Sequence, residues 1–155
     1  MFRPYPKKIT EKKKKSKHIH VASLWKQACK KADNAWSAMI KRKLGRKCYW
    51  PGCNKTFNIQ AHHVINGRTS YATRFDENNG IPICWGHHNF RAETKTGIQI
   101  LNKIMINLIG KKEFKRIESL AFVSPKYSQR DLQEITFVLN SKYKGENNND
   151  REITA

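Results

Sequence analysis

The stretch ICWGHHNF, residues 83–90, sets Cys84 three positions ahead of His87 and places a second histidine, His88, directly behind it. A gap of two residues lets Cys84 and His87 face one ion, while His88 must point elsewhere. Upstream, CYWPGC at 48–53 brackets a Pro51-Gly52 turn that reverses the chain and brings Cys48 and Cys53 together. Two such pairs supply four soft or borderline ligands, the complement of tetrahedral Zn²⁺. The competing reading is three free buried cysteines and an unrelated histidine. The paired spacing, the Pro-Gly turn and the abrupt loss of helical period favour zinc. Four protein ligands leave no open position, so this ion is expected to be structural and to stabilise a region with little apolar core of its own.

Outward from this cluster, NIQAHHVI reads as a short strand and NGRTSYATRFDENNG as a long polar loop. IPIC reads as a second strand and WGHHNFRAET as the start of a helix. On the N-terminal side a helix is expected from Ser23, its cap, to Gly45. Trp25, Ala28, Cys29, Ala32, Ala35, Trp36, Met39 and Ile40 recur on one face of it at three- and four-residue spacing. Cys29 lies within that stripe and is read as a core residue. On the C-terminal side, Ile98, Leu101, Ile104, Met105 and Leu108 form a stripe ending at Gly110, and Phe114, Ile117 and Leu120 form another. Ser128 with Asp131 reads as a capping box for a last helix.

The 155-residue chain carries 31 Lys and Arg against 12 Asp and Glu, a formal charge of +19. Such an excess points to a polyanionic partner, nucleic acid before an acidic membrane surface. Residues 1–47 hold 16 basic and 2 acidic residues. Residues 1–22 are expected to be a disordered basic arm, with His18 and His20 part of it, whose phosphate contacts weaken steeply with salt. Residues 146–155 form a polar tail. No segment is long and apolar enough to span a bilayer, and the N-terminus lacks a secretory signal, so a cytoplasmic protein is expected. Cysteines in that compartment argue for metal or burial rather than disulfides.

His62, His63 and His88 remain. Alternation along a strand sends His62 and His63 to opposite sides, free to take different roles. One could hold a hard divalent ion and the other accept a proton from water. His88, on the following helix, could reach back as a second ligand, leaving positions for water and phosphate, which suits Mg²⁺ as a Lewis acid. Arg68, Arg74 and Arg91 are candidates to neutralise phosphates, with plain surface charge as the alternative.

Taken together, CYWPGC, QAHHV and ENNGIPICWGHHNFR resemble the zinc-bound HNH (ββα-metal) nuclease motif. The resemblance implies His63 as general base, His62 and His88 as ligands of the catalytic ion, Asn79 as the residue that braces the loop, and Arg91 as the basic residue after the last ligand. RTSYATRFDENNG and the C-terminal LIGKKEFKRIESL and SQRDLQEITFVLNSKYKGE extend the likeness, over roughly residues 24–145, to the lambdoid phage NinG (Rap) recombination family. His87 stands where that motif more often has cysteine, and a one-residue shift would exchange the roles of His87 and His88 at the expense of the two-residue gap.

The expectation is therefore an α+β protein. A small ββα-metal (HNH) core with a zinc knuckle, about residues 48–95, lies within one domain spanning 23–145, flanked by an N-terminal amphipathic helix and C-terminal helices at 97–145. The family implies a DNA endonuclease, using Mg²⁺ or Mn²⁺, on branched recombination intermediates such as Holliday junctions and D-loops. Symmetric cutting of a junction would call for a homodimer. The rival readings are a nicking, homing or restriction-type HNH enzyme on linear duplex, and a non-enzymatic zinc module that binds DNA or RNA.

Overall fold

The computed structural model describes residues 21–65, 70–123 and 125–143. Residues 1–20 of the basic arm, Arg68 and the polar tail lie outside the described residues, while Val21 and Ala22, expected as the end of the arm, already belong to the first helix. Among the described residues the fold is α+β, six helices around a two-stranded antiparallel sheet. Helix α1 (Val21–Leu44) buries Ala28, Cys29, Ala32, Ala35, Trp36, Met39 and Ile40, the stripe expected from the sequence, and Gly45 ends it at φ 79°. Ser23 lies inside this helix rather than capping it, because the helix starts two residues earlier; its hydroxyl accepts from Gln27 Nε2 at 3.3 Å.

Strand β1 (Ile59–His63) pairs with β2 (Gly80–Cys84), with Ile59 opposite Cys84 and His63 opposite Gly80. Paired residues share a face of the sheet. His63, Gly80, Ala61 and Pro82 therefore form one face, and His62 and Ile81 lie on the other. Two short strands do not hold together alone in water. Here α1 covers the first face, and α4 (Lys95–Ile109) and α5 (Lys111–Leu120) build the core that takes in Ile81 and Ile83, while α3 (Trp85–Phe90) follows β2 directly and contacts both strands.

The segment expected as a long loop contains a turn of helix, α2 (Tyr71–Arg74). Contacts with α1 order it: Tyr71 packs on Trp25 with ring centres 6.4 Å apart, and Arg74 pairs with Asp33. Helix α6 (Gln129–Ser141) carries the full capping box of Ser128 and Asp131. Trp25 Nε1 donates to the Tyr127 carbonyl at 3.1 Å and Arg42 Nη2 to that of Leu139 at 2.9 Å, so α1 and α6 run side by side in the same direction. No helix among the described residues is long and apolar enough to cross a membrane.

Gly80 is where α1 meets the sheet most closely. A Cβ there would stand 2.5 Å from Trp36 Cζ2 and 2.7 Å from Ile40 Cδ1. Gly80→Ala is expected to lower stability by about 1–3 kcal/mol through overpacking, read as a shift in urea midpoint. An unchanged midpoint would show that the helix yields.

Helix α5 is tied to the turn before β2 by charge. Arg116 bridges Glu113 and Asp76 at 2.7 and 2.8 Å, and Asn78 Nδ2 donates to Glu113 at 2.8 Å. Arg116 first, then Asn78, holds the Glu113 carboxyl at about 2, against an ordinary 4.5. A carboxyl held low in the fold contributes stability that is present above pH 4.5 and lost as pH falls toward 2. Glu113→Gln should flatten that part of the stability–pH profile; a wild-type slope in the variant would mean the cluster contributes nothing.

Candidate metal centre and histidine cleft

The knuckle is built by backbone turns. Gly52 takes φ 73° at the reversal, Cys53 N–H donates to the Trp50 carbonyl at 3.0 Å, and Cys48 N–H donates to that of Lys55 at 2.9 Å. Asn58, at φ 52°, turns the chain into β1, and its carbonyl accepts from Trp85 N–H at 2.9 Å. The start of α3 is thereby clamped against the knuckle.

The ligand atoms of Cys48, Cys53, Cys84 and His87 all lie within 4.8 Å of one another. His87 Nδ1 is 3.4 Å from Cys48 Sγ and 3.2 Å from Cys84 Sγ. Ligands at zinc distances on a tetrahedron would be separated by roughly 3.3–3.8 Å. These four residues could therefore hold a metal ion such as zinc, and the set is the one expected from the spacing. His88 is not part of it. Burial pushes the Cys48 thiol up, to about 11. Burial also opposes ionisation of Cys84, yet the backbone N–H groups of His87 and Gly86 and the neighbouring thiols hold it below its ordinary value. His87 is held low by burial and by the nearby charges of Lys55 and Arg91, which keeps its ring neutral, as ligation requires. Trp50 lies flat on the His87 ring, centres 4.7 Å apart at 8°, and fixes its orientation.

His62 and His63 diverge as the strand demands. His62 meets His88 edge to face, ring centres 5.0 Å apart at 86°. Burial, then the proximity of His88 and His63, lowers His62 to about 4, so it is neutral at physiological pH. His63 lies on the other side, stacked on Trp36 at 3.7 Å and 4°. Its Nε2 is 2.8 Å from the Arg74 carbonyl. A carbonyl only accepts, so Nε2 carries the proton and Nδ1 is the basic nitrogen of the neutral ring.

Asn79 is fully buried. Its Oδ1 accepts from Ile65 N–H at 2.9 Å, and its Nδ2 donates to the carbonyls of Thr73 at 3.0 Å and Ile65 at 3.1 Å. It thus pins the residue next to the carbonyl that orients His63. The neighbouring Asn78 instead serves the Glu113 tie.

Among the expected phosphate contacts, Arg91 is exposed at the end of α3. Arg74 is placed otherwise. Its guanidinium is bidentate on Asp33 at 2.9 and 2.7 Å, with side chains only 11% and 16% exposed, so it joins α2 to α1 rather than meeting solvent. An arginine in a polar stretch gives no sign of a carboxylate 41 residues earlier. The stacking roles of Trp36 and Trp50 were equally silent in the sequence, where the first reads as ordinary helix stripe.

His62 and His63 both line a cleft of about 400 Å³, shared with Glu93, Asn102, Glu118 and Phe122. A larger cavity among the described residues, about 740 Å³, lies away from the histidines and is lined by Asp76, Glu77, Asp131 and Glu134 together with Lys126 and Lys142. Comparison with protein-family models, with curated proteins and with solved structures finds no match.

The two adjacent histidines can be told apart by metal content. His87→Ala and Cys48→Ser are expected to lose zinc, and His88→Ala to keep it, by elemental analysis of the purified protein. Loss in His88→Ala with retention in His87→Ala would exchange their roles.

Proposed function

We propose that the protein is a metal-dependent endonuclease of the HNH type that hydrolyses DNA phosphodiesters, with branched recombination intermediates as the substrates its sequence resemblance suggests. One arrangement carries this reading: a histidine with its basic nitrogen set by a main-chain carbonyl shares a cleft with a second histidine that faces a third. His63 Nδ1 takes the proton from the attacking water. Trp36 and the Arg74 carbonyl hold the ring, and Asn79 holds the loop that carries the carbonyl. His62, neutral at working pH, and His88 are the residues that would hold the catalytic divalent ion. Mg²⁺ or Mn²⁺ bound there would supply Lewis-acid stabilisation of charge on the phosphate. Arg91 offers a cation to the flanking backbone, and the zinc-type knuckle keeps α3 in position.

The charge of +19 supports a nucleic-acid substrate. A homodimer would bring two such sites to one junction. In its support, α6 exposes Phe137 and Val138, apolar side chains on the outer side of the C-terminal helices.

The test is cleavage of labelled branched and linear DNA with Mg²⁺ by wild type and by His63→Ala. Loss of the base should slow cutting by about 10²–10⁴-fold. A wild type that cuts nothing, or a variant that cuts equally well, would remove the catalytic assignment; binding without cutting would leave a zinc-type nucleic-acid module.

A further inference from the structure

Helix α3 has two dissimilar sides. Inward, it places His87 in the cysteine cluster and His88 against His62. Outward, it presents Trp85 and Phe90, 51% and 66% exposed, edge to face with ring centres 5.4 Å apart. Phe57, 64% exposed, adjoins the start of α3 along the chain, since the carbonyl of the next residue, Asn58, accepts the Trp85 N–H at 2.9 Å. None of the three rings contributes to either apolar core. Polar residues there would leave the packing intact, so the fold does not account for them.

The surroundings indicate what the rings meet. Lys55 Nζ stands 5.9 Å from the centre of the Phe57 ring, and Arg91 follows Phe90 directly. No acidic residue occurs in the sequence between Asp33 and Asp76, nor between Asp76–Glu77 and Glu93. Rings interleaved with cations and without acids fit a polyanion that also has flat apolar faces. A protein partner would need neither the cations nor the lack of acids. Nucleic acid combines both features, but in duplex the base faces are already stacked on one another and only unpaired bases can offer them.

We infer that the outer face of α3, with Trp85, Phe90 and Phe57, is a stacking platform for unpaired bases. Resting on the nuclease reading, this selects as substrate a strand with unpaired nucleotides beside the cut, because the platform and His88 share one short helix. Lys55 and Arg91 take the adjoining phosphates.

The experiment measures binding of the full-length, zinc-loaded chain without added Mg²⁺ or Mn²⁺. The probes are a fluorescein-labelled single strand with a central 2-aminopurine and the same strand annealed to its complement. Wild type is expected to favour the single strand and to quench the 2-aminopurine. The Trp85→Leu/Phe90→Leu variant should lose about tenfold or more in single-strand affinity, together with the quenching, while duplex binding and zinc content stay as in wild type. Trp85→Phe should retain most of the affinity, and Phe57→Leu alone provides a milder variant should the double substitution unfold the chain. Equal losses on both probes, or none on either, would overturn the proposal. So would ring-dependent self-association with single-strand binding unchanged, which would make the face a protein interface. Because binding is read without cutting, the result stands apart from the His63→Ala assay: cleavage without stacking sinks the platform alone, and stacking without cleavage sinks the nuclease reading alone.

Discussion

Pairing of Ile59 with Cys84 and of His63 with Gly80 fixes nearly everything else in this molecule. The ladder is five residues long on each strand, and its register decides which side chains share a face. A slip of one residue would send His63 away from Trp36 and His62 away from His88. So short a ladder cannot hold its own register in water. It is held at one end by the knuckle, where Cys84 N–H donates to Cys48 Sγ at 3.3 Å and Tyr49 N–H to the Pro82 carbonyl at 3.0 Å. At the other end Asn79 ties Ile65 to the turn before β2. Cysteine cluster and buried carboxamide thus do for this sheet what further strands do in larger ones.

Local patterns made much of this architecture legible. The apolar stripes of α1 and α5 follow the helical period, and the Ser128–Asp131 cap and the turn at Gly45 follow from the stereochemistry of helix ends. In α4 only Leu101 and Met105 of the expected stripe are buried, while Ile98 and Leu108 are exposed and Ile106 and Ile109 pack on the core beside Ile104. Cys48, Cys53, Cys84 and His87 were readable as one cluster because ligand spacing constrains side-chain direction. The contacts around His63 were not readable. Trp36 lies 27 positions from it in the sequence, and its place in the stripe of α1 explains it fully without the stack. Arg74 contributes through its carbonyl, an atom every residue has, so side-chain chemistry gave no hint of that role. Its guanidinium, the part with an evident chemistry, is engaged by Asp33.

The two apolar cores meet at the sheet. One gathers α1, α6 and Phe75; the other gathers β2, α4, α5 and the cysteine cluster. His63 belongs to the side of the first and His62 to that of the second, while the cleft they line is walled by Ile65, Ala92, Phe114 and Ala121 of the second core.

The partner of His63 is a main-chain oxygen, which no amino-acid replacement deletes. Change at position 74 alters only how firmly the oxygen is held, through the hold of its side chain on Asp33, while position 79 acts on the neighbouring Thr73 carbonyl. Heritable variation can therefore adjust the aim of this imidazole in small steps without ever removing its orienting contact outright.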